Sequence, residues 1–101
     1  MNLEPPQEFK VLCRNLTQDL SISSADQMVQ YALLDIGPRQ GNAIRQFLDQ
    51  KLLSGAYSPD EIRTWWWSTP SSITFYDSEG LMMFLKLIRE ALDKPPFSAT
   101  P

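Results

Sequence analysis

The side chains best placed for acid or base chemistry in this chain are two carboxylate pairs, Asp60-Glu61 and Asp77 with Glu79. Two carboxyls in different environments can divide the roles of proton donor and acceptor. Both pairs fall where helices should begin, and there capping and the positive end of the helix dipole already account for them. The chain has no histidine, which removes Ser-His-Asp, Cys-His and His-metal arrangements together. Cys13 is the only cysteine. It cannot form an intramolecular disulfide or a thiolate cluster for zinc, and it reads as a small buried apolar residue. Gly37 and Gly41 lie close together ahead of an apolar stripe but lack the Walker spacing and the preceding strand of a phosphate cradle. The expectation is a protein without catalytic residues, cofactor or metal.

What the chain has in surplus is aromatic surface. Trp65, Trp66 and Trp67 are consecutive, and neighbouring residues on a helix point about 100° apart, so one short helix cannot bury all three indoles. Ile62, Trp65 and Trp66 lie three and four apart and can share an inward face. Trp67 lies five residues beyond Ile62, turned away from it by about 140°, and is the indole expected at the surface. It either anchors a partner, as exposed tryptophans often do, or covers the loop that follows. Tyr76 is the second candidate anchor.

Nine Lys and Arg stand against twelve Asp and Glu over 101 residues, a net charge of −3. This argues against a phosphate backbone or an anionic membrane surface as the main partner and favours a basic protein. The acids are unevenly placed. Between Arg14 and Arg39 there is no cation, while Asp19, Asp26 and Asp35 contribute −3; between Arg63 and Lys86 there is again none, while Asp77 and Glu79 contribute −2. If these segments meet in space, they form a negative face able to steer a cationic partner; if not, they are ordinary solvated surface.

The elements that position these residues can be read from caps and periodicity. Phe9, Leu12, Cys13, Leu16 and Leu20 keep helical spacing after Pro5-Pro6. Ser24 and Gln27 form a capping box for a second helix, whose inward stripe is read as Met28, Tyr31, Ala32 and either Leu34 or Ile36. Gly37-Pro38 should end that helix with a left-handed glycine, and Gly37 to Asn42 should be a loop. Ala43, Ile44, Phe47, Leu48 and Leu52 mark a third helix with Gly55 near its end. Ser58-Pro59-Asp60-Glu61 starts a fourth with a cap, a first-turn proline and a capping-box acid, and Ser68 to Ser72 stop it. Ile73 to Tyr76 read as a short extended segment with Ile73 and Phe75 on one side, free to pack as a connector or pair with another chain. Asp77 or Ser78 caps the last helix, with Leu81, Phe84, Leu85, Ile88, Ala91 and Leu92 inward and Glu90 within reach of Lys86 and Lys94. The expected fold is mostly α, a small single-domain bundle of about five helices over residues 1–94 with one short extended segment before the last helix, followed by a loose tail over 95–101.

From Phe47 to Leu92 the order of pieces is specific enough to compare: F-L-D-x-x-L-L, then S-P-D-E-I-R-T-W-W from Ser58 to Trp66, then S-I-T-F-Y-D-S-E-G from Ser72 to Gly80, then F-L-K-L-I-R-E-A-L from Phe84 to Leu92. This half of the chain resembles small immunity proteins of bacterial contact-dependent growth inhibition systems. The resemblance implies a protein that binds and neutralises a cognate toxin domain inside the producing cell, and many such toxins are basic nucleases. The partner would then be that toxin domain, with no direct contact to nucleic acid or membrane and a cytoplasmic location. Asp19, Asp26, Asp35, Asp77 and Glu79 are the candidates for charge complementarity, and Trp67 and Tyr76 for apolar anchoring. The rival reading is a helical adaptor that homodimerises through the tryptophan surface.

Overall fold

Side-chain caps set where the helices begin. In the computed structural model, which describes residues 3–16, 24–94 and 97, five α-helices follow one another: α1 (Gln7–Arg14), α2 (Ala25–Ala32), α3 (Pro38–Phe47), α4 (Pro59–Trp66) and α5 (Ser78–Leu92). Ser24 Oγ accepts from Gln27 N at 3.3 Å while Gln27 Oε1 accepts from Ser24 N at 3.2 Å. Ser58 and Glu61 repeat this box at 3.2 and 3.0 Å with Pro59 in the first turn. Asp77 Oδ1 accepts from Gly80 N at 2.7 Å. Each such cap contributes about 1 kcal/mol by satisfying a donor that the helix cannot. The mostly α-helical class expected from the sequence is the class observed, with no strand among the described residues.

The passage between α2 and α3 differs from the sequence reading in two ways. Gly37 to Asn42 is not a loop: Gly37 is the extended N-cap and Pro38 the first residue of α3, a position proline favours because its missing N–H would be unbonded there anyway. The helix then runs through Gly41, which faces α5 so closely that a Cβ would lie 3.1 Å from Leu92 Cδ2 and 3.0 Å from Phe97 Cδ1. The left-handed residue after α2 is Asp35 (φ 62°), not Gly37; a short polar side chain tolerates that conformation. Asn15, at the end of α1, donates from Nδ2 to the carbonyls of Ala32 and Leu34 at 3.1 and 2.9 Å, satisfying acceptors at the C-terminal end of α2.

α2 is also turned relative to expectation. Val29, Ala32, Leu33 and Ile36 are its buried positions, Met28 is half-buried, and Tyr31 and Leu34 are exposed. Two apolar stripes compete in this segment, and the one carrying the smaller side chains fits against α1 and α5.

α5 packs against α2, α3 and α4, and α1 against α2 and α3. Leu81, Phe84, Leu85, Ile88 and Leu92 supply its inward stripe. A chain of aromatic rings crosses the interior from Phe47 through Trp65, Phe9, Trp66 and Phe75 to Phe84, with successive centroids 5.4–6.3 Å apart. Such tilted and edge-on pairs are worth about 0.5–1.5 kcal/mol each beyond the area they bury. α3 ends in a π turn, Leu48–Leu52, closed by Leu53 N donating to Leu48 O at 2.7 Å. On its outer side Asp49 accepts from Arg89 Nε at 2.7 Å, and Arg89 Nη1 reaches Asp93 at 2.6 Å. These pairs, rather than Lys86–Glu90 or Glu90–Lys94, are the ones α5 forms among the described residues.

Ile73 to Tyr76 forms no strand. Its alternation survives without one: Ile73 is buried and Phe75 half-buried, while Thr74 and Tyr76 point to solvent. Leu20 and Asp19, read as core and as surface acid, lie outside the described residues. Of the expected tail, Phe97 is described, and it packs on the core beside Gly41 and Leu92. No helix among the described residues is long and apolar enough to cross a membrane.

Candidate functional site

The three indoles have three different fates because α4 ends among them. Trp65 and Trp66 belong to its last turn and are 7 % and 2 % exposed; Trp67 is its C-cap and is 64 % exposed. Trp65 Nε1 donates to Leu3 O at 2.9 Å and Trp66 Nε1 to Ile73 O at 2.8 Å, so each buried indole has the partner its N–H requires. Ser68 and Thr69 hydroxyls donate at 2.7 Å to the carbonyls of Trp65 and Trp66. The helix end is thereby closed beneath Trp67.

Tyr76 is 96 % exposed. Arg63 connects its surroundings to those of Trp67: the guanidinium Nε donates to Phe75 O at 3.0 Å. Trp67 stands one helical turn beyond Arg63, and Tyr76 follows Phe75. The two aromatic anchors proposed from the sequence are thus both at the surface, on either side of one hydrogen bond.

The acidic residues group differently from the sequence expectation. Asp26, in the first turn of α2, borders a groove with Leu87, Glu90, Ala91 and Lys94, at the last turns of α5. Asp77 caps α5 and Glu79 lies in its first turn. Eleven residues of helix, about 16 Å, separate Glu79 from Glu90, so Asp26 and the Asp77–Glu79 pair do not share a patch. Asp35 is exposed at the left-handed reversal after α2. Pro59 at the start of α4 lines one groove with Ser78 and Glu79 at the start of α5, while Asp60 and Glu61 line another with Thr64, Trp65 and Ser68 along α4. Glu61 is held below the usual carboxylate range by the Ser58 backbone N–H and then by the Ser58 hydroxyl, and Asp77 is engaged at Gly80 N.

The groove of Pro59 and Glu79 also exposes Met83, 65 % accessible, beside half-buried Met82. The sequence pattern leaves Met83 off the inward stripe of α5, which is the signal that could have identified it. Tyr31 and Leu34, with Gln27 and Gln30, form a second small apolar patch, hidden in the sequence by the misassigned stripe of α2.

The remaining reactive group, Cys13, is fully buried, and burial pushes its thiol up to about 12 despite a hydrogen bond with Thr69. No group of His, Cys, Asp or Glu side chains among the described residues is arranged to hold a metal ion. Comparison with protein families, curated proteins and solved structures gives no match to this chain.

Proposed function

We propose that this chain is an immunity protein that binds a cognate toxin domain and neutralises it in a stoichiometric complex, the toxin being a basic nuclease of a contact-dependent growth inhibition system. The observation that carries the reading is the set of large apolar side chains left exposed, Trp67 at the C-cap of α4 with Tyr76 and Met83, the last two flanking Asp77 and Glu79 at the start of α5. Large apolar side chains left in water are a cost unless a partner covers them, and Trp and Tyr are the usual energetic anchors of interfaces. Carboxylates around such anchors suit a cationic surface and speed the encounter with it. The resemblance of residues 47–92 to immunity proteins supplies the class of partner.

The test is co-purification with the toxin domain encoded next to this chain, followed by calorimetry at two salt concentrations. A tight one-to-one complex that weakens with salt is the expected result. Absence of a complex, with light scattering showing a stable dimer at low concentration, would replace this reading by that of a self-associating adaptor.

A further inference from the structure

The groove between the start of α4 and the first turns of α5 has a volume of about 500 Å³ and is lined by Pro59, Ser78, Glu79, Met82, Met83 and Lys86. That volume suits individual side chains rather than a whole helix. Its walls are apolar but unbranched and polarizable: methionine adapts to stems of different shape, and Pro59 adds a rigid apolar edge. One end carries the carboxylate of Glu79, which is exposed and forms no ion pair among the described residues. Lys86 lies seven residues further along α5, about 10 Å away along the axis, and forms no ion pair with Glu79 among the described residues. Long cationic side chains bury their methylenes on apolar surface and keep the charged head at its edge. An apolar trough ending in a carboxylate is complementary to that shape and charge.

We infer that this groove seats an arginine or lysine side chain of a partner protein, its stem across Met82, Met83 and Pro59 and its head on the Glu79 carboxylate. The identity of the partner as a toxin rests on the function proposed above; the chemistry of the groove does not.

The direct experiment is methyl NMR on the full chain labelled at the methionine ε-carbons, titrated with acetyl-Gly-Arg-Gly-amide, its lysine counterpart, and acetyl-Gly-norleucine-Gly-amide. The expected result is saturable movement of the Met82 and Met83 methyls with the cationic peptides, Met28 remaining still. Affinity should fall at least fivefold in Glu79→Gln and stay unchanged in Asp26→Asn, with both variants checked for a normal unfolding transition. Equal binding of the norleucine peptide would assign the groove to an apolar side chain. That outcome, an unchanged affinity in Glu79→Gln, or motionless Met82 and Met83 would each overturn the inference. Where the toxin complex forms, Glu79→Gln should also weaken it. A complex indifferent to Glu79 overturns the inference and leaves the proposed function intact, whereas failure to form any complex overturns the function while the peptide titration still decides the groove.

Discussion

Trp66 donates its indole N–H to the carbonyl of Ile73 at 2.8 Å, and with the bond from Arg63 to Phe75 O it joins the last turn of α4 to the irregular segment that leads into α5. Ile73 O also accepts from Ser71 Oγ at 2.9 Å, Ser71 Oγ in turn accepts from Ile73 N at 3.1 Å, and Ser72 N donates to Leu16 O at 3.0 Å. A segment without a ladder partner is therefore fixed by bonds from side chains and by one to Leu16, just after α1. It holds its shape as a connector within the chain.

Neighbouring indoles should respond in opposite ways to truncation. Trp66→Ala removes a buried side chain and a satisfied N–H, and should cost about 3–5 kcal/mol of stability. Trp67→Ala should stay within about 0.5 kcal/mol, as exposed substitutions do, while weakening the proposed complex. Urea unfolding followed by circular dichroism, paired with calorimetry on the complex, separates the two; a Trp67 variant that unfolds early but binds normally would place that side chain in the core.

Gly41→Ala reverses an ordinary expectation. Alanine in a helix interior is favoured over glycine by about 1 kcal/mol, yet here the new methyl would lie 3.0 Å from Phe97 and 3.1 Å from Leu92. The variant should be less stable than the parent by urea titration. A gain in stability would show that the contact between α3 and α5 yields easily.

Acid should loosen the protein through carboxyls bonded in the folded state. Asp93 is held below its usual value by the hydrogen bond from Arg89, and Glu61 by Ser58. A depressed folded pKa means the contribution is present above the ordinary carboxylate range, near pH 4, and is lost as pH falls through the folded values. Thermal midpoints should decline on acidification from pH 5 to pH 3, and Arg89→Gln should flatten the decline by releasing Asp93. A slope indifferent to this substitution would assign the acid response elsewhere.

Cys13 should be silent toward thiol reagents. Its burial and raised pKa leave almost no thiolate at neutral pH. Ellman's reagent should fail to react with native protein and react fully in urea; rapid native labelling would mean that α1 opens readily.

Legibility followed the locality of the signal. Ser58, Pro59 and Glu61 define the start of α4 within four residues, and the structure closes the bonds they imply. The same holds for Ser24 with Gln27. Trp67 was legible as exposed because Ile62, Trp65 and Trp66 fix the phase of one short helix. In α2, by contrast, Met28-Tyr31 and Val29-Leu33 offer two phases, and packing against α1 and α5 selects the second. Gly37-Pro38 was ambiguous between an ending and a beginning, since glycine and proline serve both. The meeting of Pro59 with Ser78, Glu79 and Met83 follows from how α4 lies on α5 and has no signature along the chain.

The three indoles also equip the protein with its own optical gauges. Trp66, enclosed by Phe9, Phe75 and Phe84, emits from an environment that only loss of the core can change. Trp65, tied to Leu3 at 2.9 Å, senses whether the leading strap stays in place. Trp67 is the one that iodide can collide with, so shielding from that quencher on mixing with a partner would report occupancy of the surface without a label.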